Sequence, residues 1–183
     1  AALNAAGRPP EVTKMMQWRA AQSIVLSANL HGGALVVNYP YDYDGKPSGT
    51  DSPTPDDVLL EDVARRYSVH NAPMWNSPEF DDGITNGAVW YILIGGMQDW
   101  CYRYLACTDF TIELSNSKRP SSSLIPSYWS NNEESMLSYL EAVHIGVRGI
   151  VTDSVTGLPL WAKVSVQGNA HSVFTDPDIG DFH

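Results

Sequence analysis

The chain has 183 residues, enough for one domain or for one domain and a piece of another. Its 43% hydrophobic content and six Trp support a real core, and no apolar run approaches the roughly 18 residues that a membrane span needs. A net charge of −10 and a pI near 4.7 argue against a nucleic-acid binder, which would carry a basic stripe, and suit either solubility or a cationic substrate or partner drawn in by steering.

The opening Ala1-Ala2-Leu3-Asn4 carries no Met and reads as an internal segment, with no signal peptide in view. Pro9-Pro10-Glu11 opens a helix, because Pro is tolerated in the first turn and Glu11 suits the dipole there. Val12, Met15, Met16 and Arg19 continue it at helical spacing to about Ala21. Ser23 to Leu30 has few polar positions and reads as a buried strand. Tyr39 to Pro55 is rich in Pro, Gly, Asp and Ser, a long surface loop of the kind that is often functional. Pro55-Asp56-Asp57 starts a second helix with Val58, Leu59, Val63 and Tyr67 at helical positions, ending near His70. Asn71 to Gly87 is expected to be loop, and Trp90 to Ile94 a short strand or bend closed by Gly95-Gly96. Asp109 to Leu114 is a strand. Asn131-Asn132-Glu133-Glu134 is expected to cap a third helix running to about His144, with Met136, Leu137, Leu140 and Val143 inward.

The character changes after Gly146. Val147 to Val151, Lys163 to Gln167 and Ser172 to Phe174 read as short strands, with turns at Asp153 to Gly157 and at Gly168-Asn169. Short strands after an α/β segment suggest a second, all-β unit, and the residues from 147 to 183 are too few to bury a core of their own. Cys101 and Cys107 could pair across a small loop or stay free; neither count nor spacing decides.

Two positions carry chemistry. His31 ends an apolar strand and precedes Gly32-Gly33, where backbone can approach another group closely. Glu113 is a carboxylate inside the hydrophobic strand Phe110-Thr111-Ile112-Glu113-Leu114, and a charge there costs several kcal/mol unless it is paired, near a metal or facing a cleft. Together they fit a metal-assisted hydrolase; a core histidine and a structurally paired glutamate are the alternative.

The run from Leu26 through His31-Gly32-Gly33 and Asn38-Tyr39-Pro40-Tyr41 to Asp42 resembles the zinc metallocarboxypeptidases of the M14 type, in particular the N/E or regulatory subfamily. So do Gly83 to Tyr91, Gly95-Gly96-Met97-Gln98-Asp99-Trp100 and Thr111 to Ser115, in the same order and at fitting spacings. The resemblance implies the C-terminal part of an α/β catalytic domain over residues 1–146, a mixed sheet with helices on both faces. It implies the start of an all-β transthyretin-like sandwich over residues 147–183. It also implies that His31 is a ligand of Zn2+, since neutral imidazole is a favoured zinc donor. Glu113 matches the general base acting on zinc-bound water, and Tyr91 the mobile tyrosine that closes over the C-terminus of a bound peptide. Asp42, eleven positions after the histidine, matches the acid that selects C-terminal Lys or Arg, and Gln98 a polar residue of the same pocket; Asp99 is expected to be structural.

The implied partners are peptide or protein C-termini, basic ones foremost, with no nucleic acid and no membrane segment in this chain. The implied location is secreted, periplasmic or in the secretory pathway. The chain departs from the family in lacking the His-x-x-Glu motif that supplies two further zinc ligands and the arginines that hold the substrate carboxylate; all are expected upstream of the region matching Ala1. On this reading the segment alone has no peptidase activity. A non-catalytic peptide-binding protein of the same fold is the alternative.

Overall fold

The computed structural model describes residues 7–183. The opening Ala1 to Asn4, read above as an internal segment, lies outside the described residues. The central sheet is built from β1 (Leu26–His31), β2 (Ala34–Tyr39), β3 (Ile84–Asn86) and β4 (Thr108–Ser115), in the order β1-β4-β2-β3. It is mixed: β4 runs parallel to β1 and antiparallel to β2, and β2 runs parallel to β3. Among the described residues six α-helices accompany it: α1 (Pro10–Ala20), α2 (Asp57–Ser68), α3 (Ala72–Trp75), α4 (Gly87–Trp90), α5 (Met97–Leu105) and α6 (Ile125–Glu141).

Side-chain alternation along the strands gives the sheet two different faces. Val37, Tyr39, Phe110 and Ile112 join Leu60, Val63, Ala64 and Tyr67 of α2 and Tyr139 of α6 in the apolar core. The opposite face is polar. The register pairs Ser27 with Asp109, Asn29 with Thr111, His31 with Glu113, and Asn38 with Thr111. Helices α1 and α5 cover that face. Arg19 of α1 forms a 2.8 Å ion pair with Asp109, and the same guanidinium nitrogen lies 3.0 Å from Cys101 Sγ and 3.3 Å from Cys107 Sγ. Both thiols are free and buried, and burial foremost pushes Cys101 up to about 12.

Several expectations change on the structure. Asn71 to Gly87 is not a loop throughout: it holds α3, a 3-10 turn at Asp81–Gly83 and β3. Asn71 caps α3 by accepting the Met74 N–H at 3.1 Å, and Ile84 to Asn86 gain strand character from pairing with β2, which lies far away in sequence. Of the short strand or bend expected at Trp90 to Ile94 the strand does not form: Trp90 ends α4, Tyr91 to Leu93 are irregular, and the chain turns at Ile94-Gly95. The third long helix starts at Ile125, so Asn131 and Asn132 lie in its interior instead of capping it. Its buried residues are Asn132, Ser135 and Tyr139, and Met136 packs half-buried against the core as expected, while Leu137 and Leu140 are exposed. The seam is polar because Asn132 Oδ1 accepts from the Tyr67 hydroxyl at 2.7 Å and from Asn71 at 2.8 Å.

The tail forms two small antiparallel pairs, β5 (Gly149–Ile150) with β8 (Asp181–Phe182) and β6 (Lys163–Val164) with β7 (Val173–Phe174). It rests on the rest of the chain through Asp56, the residue just before α2. Asp56 bonds His171 Nδ1 at 2.5 Å, Asn169 at 2.6 Å and the Tyr102 hydroxyl at 2.7 Å, and the His171 ring stacks on Tyr102 at 4.6 Å between centroids. Burial would raise the Asp56 carboxyl, but these bonds outweigh it and hold it down at about 2.

Candidate active site

The parallel pairing of β1 and β4 sets His31 directly beside Glu113. Their side chains meet on the polar face, with His31 Nδ1 2.8 Å from Glu113 Oε1. The imidazole is more than half exposed, whereas Glu113 is 3% exposed and its Oε2 is buried without a protein partner. A buried carboxylate oxygen without a protein partner is an unmet acceptor, which a water or a substrate proton would satisfy. The two glycines after His31 serve a crossing. Between β1 and β2 the chain passes over the end of β4, where the Gly33 N–H donates to the Ser115 carbonyl at 2.7 Å, and a Cβ on Gly32 would stand 3.2 Å from the Ser117 carbonyl oxygen. Backbone does approach closely there, and the neighbour is the turn after β4.

A second cluster lies where β2 runs out into the strap at residues 40–43. Asp42 is 4% exposed, and its Oδ1 accepts from two carboxamides, Asn38 and Gln98, each at 3.2 Å. Gln98 also donates to Asn38 Oδ1 at 3.2 Å, and its own Oε1 is buried and unpartnered. Burial foremost, then the negative charge of Asp99, raises Asp42 to about 7 against the lowering effect of the Asn38 bond. Gly87 closes the other side: a Cβ there would overlap Asp42 Oδ1.

Tyr91, just past α4, is half exposed, with its ring edge-on to Trp90 at 4.8 Å. Burial and then the negative charges of Glu113 and Asp42 raise its hydroxyl, so the phenol lies within the field of both carboxylates. The structure therefore joins His31 with Glu113 and Asp42 with Gln98, and sets Tyr91 where both clusters act on it. Asn38 and Gly87 belong to the second cluster and were not singled out from the sequence. The available signal for Asn38 was an amide four residues before Asp42 inside an apolar run.

A family profile described as zinc carboxypeptidase, Peptidase_M14, matches residues 3–135. The chain belongs to the zinc carboxypeptidase family. Among curated proteins it is 41% identical over 186 residues to carboxypeptidase D of Anas platyrhynchos, covering 95% of this chain and 13% of that one. It is 42% identical over 183 residues to the carboxypeptidase N catalytic chain of Mus musculus, covering 94% and 40%, and 39% identical over 187 residues to carboxypeptidase M of Mus musculus, covering 96% and 42%. The chain thus spans 13% to 42% of the length of these carboxypeptidases.

The family's description implies zinc. Among the described residues no three His, Cys, Asp or Glu side chains converge on a point that could hold a metal ion. Catalytic zinc normally takes three protein ligands, so the described residues do not by themselves make a carboxypeptidase metal centre.

Proposed function

We propose that this chain carries part of the active centre of a carboxypeptidase that removes a C-terminal Lys or Arg from peptides and proteins. In this reading Glu113 is the general base: its open oxygen takes a proton from the water that attacks the scissile carbonyl, and the same carboxyl returns a proton to the leaving amine. The phenol of Tyr91 closes over the bound C-terminus, donating a hydrogen bond to the carboxylate or the scissile amide while its ring keeps water out. His31 is one metal donor. Asp42 with Gln98 receives the substrate's basic side chain.

The observation that carries the reading is the pair formed by register, a nearly buried Glu113 bonded to a half-open His31 at the end of two parallel strands. For the basic preference the support is Asp42, a buried carboxylate whose Oδ1 is held by neutral amides and which a guanidinium or ammonium group would relieve. Residues 1–146 then belong to the catalytic domain, and residues 147–183 begin a transthyretin-like β domain, supported by the short antiparallel pairs after Gly146. A location that is secreted, periplasmic or in the secretory pathway is carried over from the family resemblance.

The test is Glu113→Gln in the protein that carries this chain, assayed on a peptide ending in Arg. The amide preserves size and a partner for His31 while removing the base, and turnover should fall by about two to four orders of magnitude. Unchanged turnover would overturn the role.

A further inference from the structure

The strap that presents Asp42 is fastened by one buried side chain. Asp99, in the first turn of α5, is 8% exposed. Its Oδ1 accepts the Asp42 N–H at 2.8 Å and its Oδ2 accepts the Tyr43 N–H at 3.1 Å, so both oxygens hold consecutive amides of the strap. Bonds around it fix the rest. The Tyr41 N–H donates to the Ser52 carbonyl at 3.1 Å, the Tyr41 carbonyl accepts from the Ala88 N–H at 3.0 Å, and Arg103 donates to the Tyr43 carbonyl at 2.9 Å while lying 4.1 Å above the Tyr41 ring. Asp99 is adjacent in sequence to Gln98, so one helical turn supplies both the polar wall of the pocket and the anchor of its carboxylate.

We propose that Asp99 is a positioning residue for recognition of a basic C-terminal side chain: it fixes the strap that aims Asp42 and places a second buried negative charge behind it. This rests on the reading of Asp42 given above. Two buried carboxylates of like charge disfavour each other's ionised form, and a cation entering the pocket relieves both, whereas a neutral side chain relieves neither. The groups facing Asp42 are Asn38 from β2, Gln98 and Asp99 from α5, and, acting through charge, Asp109 from β4; Asp42 in turn raises the neutral Tyr91 hydroxyl, and Arg103 and Asp44 act on Asp99. Asp42 ionises as pH rises through about 7, so affinity for a cationic side chain improves over the same range.

Asp99→Asn keeps the size and one acceptor, removes the charge and loses one anchor. Two independent readouts follow. In a carbon NMR titration of the folded protein the Asp42 carboxyl midpoint moves down. In peptide assays KM for a C-terminal Arg falls several-fold near pH 6, where Asp42 is newly ionised, and rises several-fold near pH 8, where Asp42 is ionised in both proteins and the variant lacks one anchor and the second negative charge; kcat and a peptide ending in Ala stay unchanged. Linkage makes the coupling reciprocal, so Asp42→Asn lowers the Asp99 midpoint equally and supplies the measurement even where the first variant folds poorly. If the unmodified enzyme shows no preference for Arg over Ala, the reading of Asp42, and this inference with it, falls. If the preference is present but the midpoints and the pH dependence of KM do not move, only the role of Asp99 is overturned.

Discussion

Glu113 and Asp42 are both buried carboxylates, and in the function proposed above their different surroundings suit them to different work. Glu113 keeps one oxygen on His31 and the other open, an arrangement for handing a proton back and forth. Asp42 has its Oδ1 tied by two amides and a like charge behind it, an arrangement for receiving a cation. Replacing Asp42 with Ala should therefore cost peptides ending in Arg about 2–5 kcal/mol in kcat/KM, with little change for peptides ending in Ala or Phe. Equal losses on all three would remove Asp42 from the pocket. A lone carboxylate in an apolar strand is conspicuous in a sequence, so Glu113 and His31 could be picked out directly. Asn38 could not, because an uncharged amide in Val36-Val37-Asn38-Tyr39 costs too little to stand out, and its use depends on Gln98, sixty residues away. Asp99 was legible as structural. That its two bonds go to the backbone beside Asp42 follows only from the placement of α5.

Among the elements, those with clear punctuation or long apolar runs match their expected positions. The first helix starts at Pro10 and the strand around Glu113 runs from Thr108 to Ser115. The strand before the two glycines is there but differs from the buried Ser23 to Leu30 expected: it covers Leu26–His31, lies at the edge of the sheet and is half-buried to exposed. The misreadings share a cause. β3 and the true start of α6 are fixed by tertiary partners, and the inward face of α6 mixes Asn132 and Ser135 with Met136 and Tyr139, so apolar periodicity also pointed to Leu137 and Leu140, which face outward. The polar face of the sheet repeats the theme in Arg19, which ties α1 to β4 through Asp109. Both groups are buried, and removing one leaves the other charged and uncompensated. Arg19→Met should destabilise the protein by about 3–5 kcal/mol, read from the midpoint of urea unfolding. An unchanged midpoint would show that the pair contributes little to holding α1.

Across the whole molecule, the tail and the sheet meet at Asp56. That carboxyl would ordinarily cap α2, but it makes no cap bond there and its side chain turns to His171, Asn169 and Tyr102. Because Asp56 is held below its ordinary range, its contribution to docking is complete above about pH 4 and is lost as pH falls toward about 2. Asp56→Asn should release the tail at neutral pH, seen as at least several-fold faster proteolysis after residue 146 with the sheet left intact. Equal cleavage in the variant and the parent would mean that the tail is held elsewhere, for example by Ser23 on Asp176.

The absent side chain at Gly87 constrains how this pocket could change over generations. Any larger residue there would occupy the space of the Asp42 carboxylate. If Asp42 reads a basic side chain as proposed, a lineage moving to neutral substrates must therefore shorten or lose Asp42 before Gly87 can be replaced, and once Gly87 is gone the acid cannot return without first reversing that step. Substitution order is set by a single missing carbon, and the Asp42 carboxylate, once abandoned by this route, is abandoned behind a ratchet.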